Sequence, residues 1–146
     1  MLTPHGALVL VVDGGNMKLL RNTGSETSPV LHLLRERHLH NPRDHVTGSD
    51  APGRSFQSVG PRRGAHQPVN HHQLREDEFG EQAVKDAIAA AGDETPLIVI
   101  TPPHMLGQLR PILNAHGKVN LAAEIGKDLC HFSPSEVASF LHDWRG

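Results

Sequence analysis

The stretch Asp50-Ala-Pro-Gly-Arg-Ser-Phe-Gln-Ser-Val-Gly60, followed by Arg62 and Arg63, brings three arginines together on a backbone rich in Pro and Gly. An arginine fork binds phosphate through two parallel hydrogen bonds, and a Gly-rich turn can present backbone amides to an anion. Arg54, Ser55, Gln57, Arg62 and Arg63 are therefore the candidate RNA- or anion-binding residues. The competing reading is that these arginines pair with Asp44, Asp50 or the glutamates of the neighbouring helix. The segment lies within a longer region, about Leu39 to Val69, that shows neither helical nor strand period. Connections longer than about 12–15 residues without structure of their own are usually functional or disordered.

Other chemistry-bearing residues read more simply. His66, His71 and His72 cluster before the first helix, with His38, His40 and His45 ahead of the loop. Zinc takes three or four ligands at set spacings, often including Cys, and no Cys lies near these histidines. They read as surface residues, and no metal and no cofactor is expected. Cys130, the only cysteine, reads as a packed thiol. Lys127 and Asp128 suit an ion pair closing the last strand onto the final helix, or a contact surface.

The elements that must position these residues follow from the hydrophobic pattern. Ala7 to Val12 is an unbroken apolar run of strand length, as a strand buried on both faces requires. Asp13-Gly-Gly-Asn16 predicts a tight hairpin with glycines in left-handed conformation, and Met17 to Arg21 returns as the second strand. Pro29 to Arg35 is the expected third strand.

Leu74 to Ala91 is a helix with Phe79, Ala83, Ala87, Ile88 and Ala91 on one face, stopped by Gly92. Leu97 to Thr101 is another buried strand. Pro102 and Pro103 open a helix that Pro111 should kink or shorten. Lys118 to Ile125 alternates as a half-buried strand. In the last helix Ser133 and Glu136 form a capping box, Pro134 takes the first position, and Phe132 with Val137 makes a hydrophobic staple.

The expected fold is thus α/β, a ribonuclease-H-like mixed sheet in the order strand, strand, strand, long loop, helix, strand, helix, strand, helix. The 146 residues make a single domain, with the irregular loop at about 39–70. A two-metal nuclease on such a fold needs converging carboxylates from the first strand, first helix and fourth strand. Asp13 and Glu76 or Asp77 supply the first two, but Leu97 to Thr101 holds no acid, so Asp13 is better explained as a hairpin residue.

A formal net charge of −2 implies no bulk attraction to nucleic acid or anionic lipid, which leaves only a local basic patch to make such a contact. The lone cysteine excludes an internal disulfide, and Ala7 to Val12 is too short for a signal core or a membrane span. A reducing cytoplasm is the expected location.

Three segments together resemble the bacterial host-attachment proteins. They are Leu8-Val-Leu-Val-Val-Asp-Gly14, the Asp50 to Gly60 stretch, and Thr101-Pro-Pro-His-Met-Leu-Gly107 with Ala123-Glu-Ile-Gly-Lys-Asp-Leu129. That family is in turn distantly similar to the middle domain of archaeal and eukaryotic peptide-chain release factors. The resemblance implies that the long loop stands where release factors carry a catalytic Gly-Gly-Gln. Here that motif is missing: the loop glutamines, Gln57 and Gln67, follow Phe56 and His66. The glycines that give the reacting centre its backbone freedom are therefore missing. The expectation is a non-hydrolytic cytoplasmic binding module, partnered by the ribosome or RNA. The alternatives are a hydrolase of an RNA-linked ester that uses Gln57 to orient water, and a homodimeric interaction module that uses an exposed sheet edge.

Overall fold

The protein is represented by a computed structural model that describes residues 1–39, 71–115 and 117–145. In chain order the elements are β1 (Leu8–Val12), β2 (Asn16–Asn22), β3 (Leu31–His38), α1 (His71–Ala91), β4 (Leu97–Thr101), α2 (Pro103–Ala115), β5 (Leu121–Gly126) and α3 (Pro134–Asp143). The strands form one sheet in the order β3-β2-β1-β4-β5. β1 runs antiparallel to β2 and parallel to β4; β2–β3 is antiparallel and β4–β5 parallel. This is the mixed sheet that the sequence predicts.

Every residue of β1 and of β4 is buried. Side chains alternate across a strand, so these two strands need cover on both faces. Leu8, Leu10, Val12, Leu97 and Val99 pack with Ala83, Val84, Ala87 and Ala91 of α1 and Met105, Leu109 and Leu113 of α2. Val9, Val11, Ile98 and Ile100 pack on the opposite face with Ile125, Val137, Ala138 and Leu141. The helical face expected on α1 holds with one addition, Val84, while Phe79 and Ile88 are partly buried at its margin. Gly80 also belongs there, because a Cβ on it would come within 3.0 Å of the Met105 side chain, so α1 and α2 approach closely at that point.

Several boundaries differ from the sequence reading. β3 begins at Leu31, not Pro29, because Val30 still belongs to the turn: its amide donates to Asn22 Oδ1 at 3.0 Å and its carbonyl accepts from Thr23 N at 2.9 Å. The strand then runs past Arg35 to His38, since Arg35 and Arg37 are held down by Asp86 of α1. Between them the register slips: Leu20 pairs with Leu33 and Leu19 with Arg35, which leaves Leu34 as a bulge. β5 starts at Leu121 rather than Lys118, and α1 starts at His71 rather than Leu74. Pro111 does not shorten α2, which continues to Ala115. Pro111 and Gly107, whose carbonyl loses its donor, are both exposed, so the missing bond falls on the solvent side. The irregular region at 39–70 lies outside the described residues except for Leu39.

The last helix forms as its sequence signature requires. Ser133 Oγ accepts from Glu136 N at 3.2 Å, and Ser133 N donates to Glu136 Oε1 at 2.8 Å. Pro134 sits in the first turn, and Phe132 and Val137 share one apolar cluster. At the other end the Met1 ammonium donates to the carbonyls of Leu141, at 3.0 Å, and Trp144, at 2.7 Å. The hydrogen bonds with Ser133 hold the Glu136 carboxyl below its ordinary value. A depressed folded-state value means that its contribution is present above the unfolded value of 4.5 and is lost as pH falls through the folded one. Ser133→Ala should cost about 0.5–2 kcal/mol in denaturant unfolding at neutral pH. Glu136→Gln should also lower the midpoint there, and its difference from wild type should shrink as the solution is acidified below pH 4.5.

Candidate functional site

The carboxyl ends of the parallel strands β1, β4 and β5 lie along one edge of the sheet, and Asp13 follows directly from β1 there. Asp13 Oδ1 accepts from Gly15 N at 2.8 Å, Asn16 N at 2.7 Å and Asn16 Nδ2 at 3.2 Å, while Asp13 N donates to Asn16 O at 2.9 Å. This side-chain turn closes the hairpin, so the left-handed glycines expected from Asp13-Gly-Gly-Asn16 are not used: among the described glycines only Gly6 and Gly92 have positive φ. Gly14 is needed for a different reason. A Cβ there would lie 2.8 Å from the Glu76 carboxylate oxygen, so α1's first turns rest on the hairpin tip.

Two further segments meet the same tip. Leu39 N, just after β3, donates to Gly15 O at 2.8 Å, and His38 Nδ1 lies 2.6 Å from Asn16 Oδ1. From the far side, the turn after β5 crosses the end of β4 and brings Cys130 Sγ within 3.6 Å of Asn16 O. One short hairpin therefore anchors the residues flanking the 40–70 segment on both sides, together with the turn that leads into α3.

Asp13, Asp128 and Cys130 converge so that one ligand atom from each lies within 4.8 Å of the others. Burial pushes the Cys130 thiol well above its ordinary value; the charge and hydrogen bond of Asp13 and the charge of Asp128 push it further, with Lys18 opposing. The thiol is thus protonated and a poor nucleophile, since the thiolate is the reactive form. Three donors could begin a cation site, but Asp13 Oδ1 is already committed to three N–H donors and the thiol holds its proton. The cluster reads as a hydrogen-bonded closure of the sheet's end. Lys18 belongs to it structurally, its ammonium donating to Phe132 O at 3.0 Å.

Of the residues singled out from sequence, the structure brings Asp13 and Asp128 together. Lys127 is exposed and makes no ion pair with Asp128, which sits beside Asp13 instead. Arg54, Ser55, Gln57, Arg62 and Arg63 lie outside the described residues, as do His40, His45 and His66. The sequence reading missed Lys18 and the approach of Cys130 to Asp13. The parallel placement of β5 two strands from β1 is the feature that makes this approach possible.

Residues 6–141 match the model of a protein family described as bacterial archaeo-eukaryotic release factor family 12. No curated protein and no solved structure matches the chain. No described helix is long and apolar enough to cross a membrane.

The tip makes a paired prediction. Asp13→Ala removes a charged acceptor from three donors and should cost about 1–3 kcal/mol in unfolding experiments, whereas Asp13→Asn keeps an oxygen acceptor and should cost less. Native Cys130 should react slowly with a thiol reagent at mildly alkaline pH, and faster in the folded Asp13→Asn protein, where the neighbouring charge is gone. Rapid labelling of the folded wild type would contradict the protonated, buried thiol.

Proposed function

The chain belongs to the bacterial archaeo-eukaryotic release factor family 12, and from that membership we propose that it is a non-hydrolytic binding module acting on RNA or the ribosome in the cytoplasm. The observation that carries this reading is the family match over residues 6–141 in a chain with no Gly-Gly-Gln. A release-factor-like domain suggests a translation-related or RNA-associated role. Loss of the motif that positions water removes the reason to expect ester hydrolysis. The segments Pro52 to Phe56 and Lys127 to Leu129 carry the finer resemblance to host-attachment proteins. A cytoplasmic module of that kind would influence attachment only indirectly.

The residues of this reading are Arg54, Arg62 and Arg63, with Ser55 and Gln57 beside them. Several cations of the described scaffold already have partners. Arg35 and Arg37 are drawn to Asp86, with Arg37 also lying 5.9 Å from the centre of the Phe79 ring. Arg110 pairs with Glu124 at 2.8 Å. Those commitments favour a structural part for the scaffold arginines. They also take Asp86 as a counter-ion, which weakens the case for the loop arginines pairing with α1.

Co-sedimentation with ribosomes and titration with RNA across a salt series test the proposal. Neutralising Arg54, Arg62 and Arg63 together to Ala should weaken association and flatten its dependence on salt, because fewer counterions are released. The unfolding midpoint should shift little, within roughly 0.5 kcal/mol per site. Lost stability with unchanged binding would assign the arginines to structural pairing. Absence of any RNA or ribosome binding by the wild type at low salt would overturn the proposal, and turnover of an aminoacyl ester would replace it with the hydrolase.

A further inference from the structure

β3 is an edge strand and, at eight residues, the longest strand of the sheet. Edge strands present unpaired N–H and C=O groups and are normally blunted by charge, bulges or cover. Here the blunting is uneven. Arg35, Glu36, Arg37 and His38 load the second half with charge, whereas the first half is apolar and open. Among the described residues the exposed large hydrophobics are Leu2, Val30, Leu33, Leu34 and Leu74, so three of the five fall within Val30 to Leu34. A groove of about 480 Å³ continues this apolar surface between the β2–β3 turn and α3, with Pro29, Val30, Leu31, Pro134 and Ala138 in its walls.

We propose that this edge is a self-association surface on which two copies of the chain pair β3 with β3, antiparallel, about a two-fold axis at Leu34. The charge pattern identifies the second copy as the occupant. His32 and Glu36 stand two residues on either side of Leu34, so an antiparallel pair centred there sets each His32 opposite the Glu36 of the other copy. Leu33 meets the aliphatic stem of the opposite Arg35, whose head is drawn toward Asp86. Leu34, the bulged residue with no opposite on β2, packs on its own symmetry mate. An unrelated strand would have to supply matching charges at that spacing, whereas a second copy supplies them by symmetry, as isologous interfaces do. This surface is separate from the arginine-bearing segment and does not rest on the proposed RNA or ribosome role.

Sedimentation velocity over a wide micromolar range, without RNA, tests the inference. The wild type should show a concentration-dependent dimer. Leu34→Lys should weaken it by about tenfold or more, since a lysine at the axis meets its like-charged copy. His32→Glu should also weaken it, because it sets two carboxylates opposite each other. Adding Glu36→Lys to that variant should restore the dimer, because the introduced carboxylate then faces the introduced ammonium of the other copy. The Arg54, Arg62 and Arg63 triple-Ala protein should dimerise like wild type, which keeps this result independent of the binding test. His32, Leu34 and Glu36 are all exposed, so circular dichroism should show the fold retained. A wild type that stays monomeric, a dimer that Leu34→Lys leaves intact, or no rescue by the double variant would overturn the proposal.

Discussion

The structure depends on two strands that can touch no water. β1 and β4 sit side by side in the middle of the sheet with every residue buried. Burying a Val, Leu or Ile side chain is worth about 1.5–3 kcal/mol, and these strands are built almost entirely of such residues. That gain is available only if both faces are covered, so α1 and α2 pack on one face and α3 on the other. The helices' small residues reflect the same constraint. Ala83, Ala87 and Gly80 let α1 lie close over the sheet and over α2.

Packing of this kind pushes the polar demands to the strand ends. At the carboxyl edge Asp13 satisfies the hairpin amides, Asn16 receives the Cys130 thiol, and Lys18 reaches the Phe132 carbonyl. Thr101 is the exception: it is fully buried, and its hydroxyl has no hydrogen-bond partner among the described residues. On the outer strand the same logic uses charge. Asp86 of α1 draws Arg35 and Arg37 across the sheet surface, which extends β3 well beyond its apolar residues.

The sequence was most legible where one physical demand acted alone. Continuous apolar runs identified β1 and β4, and the capping box at Ser133 fixed the start of α3 to the residue. It was least legible where two demands could produce the same residues. Gly14 and Gly15 look like a left-handed hairpin pair, but the Asp13 carboxylate closes the turn and Gly14 makes room for Glu76. The length of β3 depends on a partner in a distant helix, which no local window contains. The meeting of Asp13 with Asp128 and Cys130 depends on strand order, which residue spacing does not encode. The residues weighted most heavily for function, Arg54 to Arg63, fall outside the described part of the chain.

Open α/β sheets commonly place ligands beyond the carboxyl ends of their parallel strands. In this protein much of that edge is occupied by its own polar groups. The Asp13 lone pairs are engaged by backbone amides, Cys130 keeps its proton, and the Lys18 ammonium is tied to a carbonyl. Freeing any of them for chemistry would strand a partner at a half-buried position, where an unpaired polar group is costly. The edge therefore works as a clamp. It fixes the end of β3 and the first turns of α1, the two points that flank the arginine-bearing segment in the chain. A scaffold whose strand ends are spent on fixing those flanks fits a protein that binds more readily than one that catalyses.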